Sequence, residues 1–81
     1  MGLRNLPLAS GEKHAAAFER LGWTRDHKRR GRDKHILLTK PGVRATLSIP
    51  DEREVKRTII AAMIKIAEET EVSYLEAFHE R

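Results

Sequence analysis

The stretch KHILLTKPGVRATLSIP, residues 34–50, constrains this chain more than any other part of it. In KHILLT (34–39) the side chains alternate, so that Ile36 and Leu38 share one face and His35, Leu37 and Thr39 the other. KPGV then reads as a turn with Pro41 at its second position. VRATLSI (43–49) sets Val43, Ala45, Leu47 and Ile49 against Arg44, Thr46 and Ser48. Two period-two runs across a tight turn make an antiparallel hairpin with one apolar face. Such a face is stable only when other apolar elements cover it, which leaves the polar side, with His35, expected to be open.

The covering elements are legible on both flanks. Ser10 is a good N-cap, and residues 11–21 read as a helix that stops where Gly22 supplies a left-handed residue. Ala15, Phe18 and Leu21 recur every three positions and face the core, with Glu12, Glu19 and Arg20 left to solvent. On the other flank, Asp51 and Glu54 have capping-box spacing. Val55, Ile59, Ala62, Met63 and Ile66 follow at helical intervals and predict a long core helix. Ser73 and Glu76 have the spacing to cap a last short turn or helix carrying Tyr74, Leu75 and Phe78. From Trp23 onward the helical period is lost, and WTRDHKRRGRD reads as a short polar strand feeding a basic loop around Gly31, with nothing buried.

The element order predicts an α+β fold: a three-stranded antiparallel sheet with helices on one face, plus a short C-terminal helix. This α-β-β-β-α layout is the one used by double-stranded-RNA-binding domains. With 81 residues, the chain is expected to be a single domain over residues 1–81. It contains no cysteine, so neither disulfides nor thiolate metal sites are available, and a reducing cytoplasm is the expected compartment. No apolar run is long enough to span a bilayer, and MGLRNLPLAS lacks the apolar segment of a signal peptide.

Charge is distributed unevenly. Residues 1–50 hold eleven Lys or Arg against four Asp or Glu, while residues 51–81 hold five against eight. A positive field confined to the first part of the chain attracts polyanions, nucleic acid foremost, although a solubilising surface has the same composition. The field is densest over Arg25, Lys28, Arg29, Arg30, Arg32 and Lys34, six cations in ten residues. Each can neutralise a phosphate, or the run can be a solvated loop, and no aromatic residue is interleaved to stack a base.

Catalytic motifs are otherwise scarce. His14, His27, His35 and His79 lie on different predicted elements without metal-ligand spacing, so no metal or other cofactor is expected. There is no phosphate-binding loop, and Ser10, Ser48 and Ser73 have no nucleophile-elbow context. His35 stands at the border between the cations and the apolar strand. A strand-end histidine of this kind is either an ordinary hydrogen-bonded residue or a group that exchanges protons near neutral pH beside a held phosphodiester. RNA supplies its own nucleophile, the 2′-hydroxyl, so one base with cations at the phosphate suffices for metal-free transesterification.

The run LPLASGEKHAAAFERLGW, then a basic segment ending in His35, then ILLTKPGVRATLSIPDEREVKR, resembles the HicA toxins, small mRNA interferases of HicA–HicB toxin–antitoxin modules. The resemblance extends from about Leu6 to Phe78. It rests on Leu6-Pro7, Ser10-Gly11, Leu21-Gly22-Trp23, His35 before an apolar strand, Pro41-Gly42, and Ile49-Pro50 ahead of the last long helix. It implies a double-stranded-RNA-binding-like fold, ribosome-independent cleavage of mRNA, His35 as the single catalytic histidine, and a HicB-like antitoxin as protein partner. Lys34, Arg32, Arg30, Arg29 and Lys28 are the candidate RNA contacts, chosen by charge and proximity. Asp33-Lys34 stands where the family usually has Gly-Ser, which keeps a second expectation open: a catalytically silent RNA-binding module of the same fold.

Overall fold

The computed structural model describes residues 3–26 and 34–80. After a 3-10 turn at Leu3–Asn5 come α1 (Gly11–Arg20), β1 (Thr24–Arg25), β2 (His35–Thr39), β3 (Leu47–Pro50), α2 (Arg57–Ile66) and α3 (Glu71–Phe78). The strands form one antiparallel sheet in the order β1-β2-β3. The architecture is the α+β arrangement that the patterning predicts, with α1 and α2 on one face of the sheet and α3 packed along α1. No helix among the described residues is long and apolar enough to cross a membrane.

Hairpin register sets the core. Ile36 pairs with Ile49 and Leu38 with Leu47, so four apolar side chains point from β2 and β3 to the same side, where Phe18, Ala15, Ile60, Ile64 and Tyr74 meet them. The opposite face carries the pairs His35–Pro50 and Leu37–Ser48. That face is only partly open, contrary to the alternation, since His35 is half-buried and Leu37 is 8% exposed. β2 is the central strand, so side chains of both neighbouring strands flank its outer residues.

The KPGV turn forms as expected: the Val43 N–H donates to the Lys40 carbonyl at 3.0 Å, and Gly42 has φ 81°, the left-handed conformation that the third residue of a type II turn requires. Pairing begins only at Leu47, however. Val43 lies in the connection and is 37% exposed, so the clean alternation over 43–46 does not become strand.

α1 matches its sequence signals. The Ser10 side chain accepts from the Lys13 N–H at 3.2 Å, Gly22 has φ 100°, and Lys40 Nζ donates to the Leu21 carbonyl at 3.2 Å, placing a cation at the negative end of the helix. Trp23 overturns the reading of a segment with nothing buried. It is 2% exposed, because the chain returns to the sheet directly after Gly22 and carries the indole into the core before β1 begins.

Two further expectations fail for a shared reason. Asp51 and Glu54 do not cap a helix, and α2 starts at Arg57. The backbone of 51–55 is engaged elsewhere: the Asp51 N–H donates to the Lys34 carbonyl (3.0 Å), the Glu52 carbonyl accepts from the Gly11 N–H (2.9 Å), and the Val55 N–H donates to the Ala9 carbonyl (2.8 Å). A helix from Asp51 would need the Glu52 carbonyl for the Lys56 N–H. The buried stripe of α2 is accordingly Ile60 and Ile64. Ile66 is exposed, and Val55 is buried ahead of the helix rather than on it. α3 starts at Glu71, so Val72 and Ser73 lie inside it, and its cap is Thr70. The Thr70 hydroxyl accepts from the Ser73 N–H (3.0 Å), and the Thr70 N–H donates to the Ser73 hydroxyl (3.2 Å), a reciprocal pair that satisfies two orphan donors.

Among the described residues, the core contains one polar side chain that the pattern missed. His14 is fully buried on α1, and its Nδ1 shares a short hydrogen bond with the Tyr74 hydroxyl on α3. The ring also lies against Phe78, and Tyr74 against Phe18, which makes an aromatic cluster between the two helices. Burial lowers the His14 pKa to about 4, with the Pro7 carbonyl offsetting part of the effect, and pushes the Tyr74 phenol up. Among the described residues, His14 Nε2 has no hydrogen-bond partner. Arg20 ties the same helices together by donating to the Ala77 carbonyl at 3.0 Å.

Candidate nucleic-acid site

His35 is the first residue of β2 and pairs with Pro50, the last of β3. From Pro50 the chain turns through Asp51 and Glu52 toward α2, so its return path runs beside the imidazole. An open cavity of about 320 Å³ results, lined by His35, Pro50, Glu52, Lys56 and Ile59. This is near the lower end of the roughly 300–1,000 Å³ range of ligand pockets, a size suited to one phosphodiester linkage with its flanking sugar rather than a whole strand. Ile59 and Pro50 give the cavity an apolar wall, while His35, Glu52 and Lys56 bring an imidazole, a carboxylate and an ammonium to it.

The frame around the cavity is tied by backbone hydrogen bonds. Lys34 adopts a left-handed conformation, φ 56°, immediately before His35, and its carbonyl accepts the Asp51 N–H. Gly11 sits on the other side of the same segment. A Cβ there would lie 2.1 Å from the Pro50 carbonyl oxygen, so only glycine lets the start of α1 approach the end of β3. Ser10-Gly11 therefore has a structural meaning beyond capping, because it seats the first helix against the residues that line the cavity.

Of the residues singled out by sequence, the structure places His35 at this cavity, while Lys34, the residue before it, is exposed and does not line it. Arg32, Arg30, Arg29 and Lys28 lie outside the described residues. Arg25, which opens the cationic run, is engaged within the protein: its guanidinium pairs with Glu12 at 2.6 Å and Glu19 at 3.4 Å. Burial alone would lower its pKa, but those two carboxylates outweigh it and raise the pKa. Glu52 and Lys56 were not anticipated. The signal that identifies them is the hairpin register, since once His35 is opposite Pro50, the residues after Pro50 must pass the imidazole.

A second cavity, about 280 Å³, is lined by Lys13, Ala16, Arg20 and Phe78, away from His35. Among the described residues no three His, Cys, Asp or Glu side chains gather as a metal ion would need. Searches against protein-family models, curated proteins and solved structures find no match for this chain.

Proposed function

We propose that this protein is the toxin of a type II toxin–antitoxin module: a ribosome-independent, metal-independent endoribonuclease of the HicA kind that cleaves mRNA in the cytoplasm. His35 is its catalytic histidine. The observation that carries the reading is the position of His35, half-buried at the start of β2, on the rim of an open cavity that also holds Lys56. The α-β-β-β-α order and the positive first half of the chain support the same reading. Lys34 and the cations before it bring the RNA backbone to the imidazole, and a HicB-like antitoxin is the protein partner that silences the enzyme.

The test is cleavage of an mRNA transcript by purified protein in the presence of a chelator, with wild type and His35→Ala compared. Wild type should produce fragments, and His35→Ala should lose at least about two orders of magnitude in rate, the usual contribution of a positioned acid or base. Expression in a bacterial host should arrest growth only with the wild type, and co-expression of an adjacent HicB-like reading frame should relieve the arrest. Unchanged cleavage by His35→Ala refutes the assignment. Salt-sensitive RNA binding without product identifies the catalytically silent module instead, a reading favoured by one observation, the left-handed Lys34 in the place of the family's small residues.

A further inference from the structure

We propose that Glu52 is the second acid–base residue of this site, acting across the phosphodiester from His35, and that Lys56 is the cation that holds the reacting phosphate. The inference rests on the ribonuclease reading and goes beyond its single histidine.

Cleavage by the 2′-hydroxyl requires two proton transfers, one from the attacking oxygen and one to the departing oxygen, and these occur on opposite sides of the phosphorus. A single imidazole reaches one side. Among the described residues that line the cavity with His35, one other group is able to exchange a proton under mild conditions, Glu52, and one is a cation, Lys56. Asp51 and Glu54, its acidic neighbours, do not line the cavity.

Among the described residues, neither the Glu52 carboxylate nor the Lys56 ammonium takes part in an ion pair or side-chain hydrogen bond, so both remain available to a substrate. Their backbones, in contrast, are fixed. The Glu52 carbonyl accepts from the Gly11 N–H, the preceding Asp51 N–H is held by Lys34, and the Val55 N–H before Lys56 is held by Ala9. Glu52 and Lys56 are exposed at the mouth of the cavity, and an available side chain on an immobilised backbone is what a positioned catalytic group needs.

In the forward step the Glu52 carboxylate takes the proton of the 2′-hydroxyl. The 2′-oxygen attacks phosphorus as the P–O5′ bond breaks, and the His35 imidazolium gives its proton to the departing 5′-oxygen. The products are a 2′,3′-cyclic phosphate and a 5′-hydroxyl, Glu52 ends protonated and His35 neutral, and no co-reactant is consumed. Lys56 neutralises charge on the non-bridging oxygens of the phosphorane.

The experiment is single-turnover cleavage of an oligoribonucleotide bearing a cut site mapped on mRNA, in chelator. It uses two forms of the substrate: the natural one, and one with sulfur replacing the bridging 5′-oxygen, a leaving group that needs no proton. Glu52→Gln should cut the natural substrate about a hundredfold more slowly with little change in KM, and should lose the acidic limb of the pH–rate profile. Glu52→Asp should restore part of the rate. The sulfur substrate should rescue His35→Ala and leave Glu52→Gln slow. Lys56→Met should raise KM and flatten its salt dependence by about one ion. Thermal melts establish that each variant is folded. Wild-type rate and an intact acidic limb in Glu52→Gln overturn the assignment alone, and rescue of Glu52→Gln in place of His35→Ala overturns the division of roles. A wild type that cuts no RNA overturns the ribonuclease reading, and this assignment with it.

Discussion

Mild acid should destabilise this fold through one side chain, His14. The imidazole is fully buried, hydrogen-bonded to Tyr74, and has its pKa lowered from 6.5 to about 4 by that burial. In the unfolded chain the ring is hydrated and protonates around 6.5. Between these two values the unfolded state binds a proton that the folded state refuses, so stability is complete above pH 6.5 and is lost as pH falls toward 4. At about 1.4 kcal/mol per tenfold difference in proton affinity, the full effect is about 3 kcal/mol, and roughly 2 kcal/mol is gone by pH 5. A domain of this length has roughly 4–12 kcal/mol in total, so the loss is a large fraction of its stability. The assay is urea unfolding followed by circular dichroism from pH 7.5 to 4.5, on wild type and on His14→Gln, which keeps a hydrogen-bonding group for Tyr74 but cannot titrate. The wild-type curve should fall more steeply than the variant's between pH 6.5 and 4.5, by about 2 kcal/mol. Parallel curves through that window would refute the reasoning and show that acid sensitivity arises from other groups.

Two other perturbations follow from backbone geometry. Gly11→Ala should lower the urea midpoint by the equivalent of about 1–3 kcal/mol. The new Cβ meets the carbonyl oxygen of Pro50 at 2.1 Å and Asp51 Cα at 3.2 Å, backbone atoms that cannot swing aside, and any RNA cleavage should fall with it because those residues frame the His35 cavity. Glu68→Gly should stabilise the protein by up to about 1 kcal/mol, read as a rise in Tm, since Glu68 occupies a left-handed position, φ 58°, after α2. Its N–H and that of Glu69 bond back to the Lys65 and Ile64 carbonyls, a helix ending that normally favours glycine. No change in Tm would mean that the conformation costs little here.

What could be read from the sequence was whatever depends on near neighbours. Ser10, Gly22, the Pro41-Gly42 turn and the strand character of residues 35–39 act over a few residues, and each forms as expected, although Leu37 on the outer face is buried. The start and phase of α2 depend on distant partners. Lys34, Gly11 and Ala9 take the backbone groups of 51–55, and no local pattern announces that. The run of Ile59, Ile60, Met63, Ile64 and Ile66 has two plausible apolar stripes, and only the sheet selects the one with Ile60 and Ile64. His14 was legible in principle, because it shares the i, i+3, i+4, i+7 stripe with Ala17, Phe18 and Leu21, and a polar residue on such a stripe calls for a buried partner. At the candidate site His35 was singled out by the resemblance and Lys34 by charge and proximity, whereas Glu52 and Lys56 required the hairpin register, a long-range fact.

Trp23 and Tyr74 are the only tryptophan and the only tyrosine in the chain. The indole sits in the core at the corner between α1 and β1, while the phenol, on α3, is joined to His14 of α1. The protein therefore carries two optical reporters that need no label. Emission from the indole follows exposure of the core, and ultraviolet absorbance of the phenol follows the charge state of its imidazole partner. Proton uptake at His14 and loss of the fold can be watched at separate wavelengths in one acid titration, and the order in which the two signals change tells whether the ring protonates inside the folded protein or only after it opens.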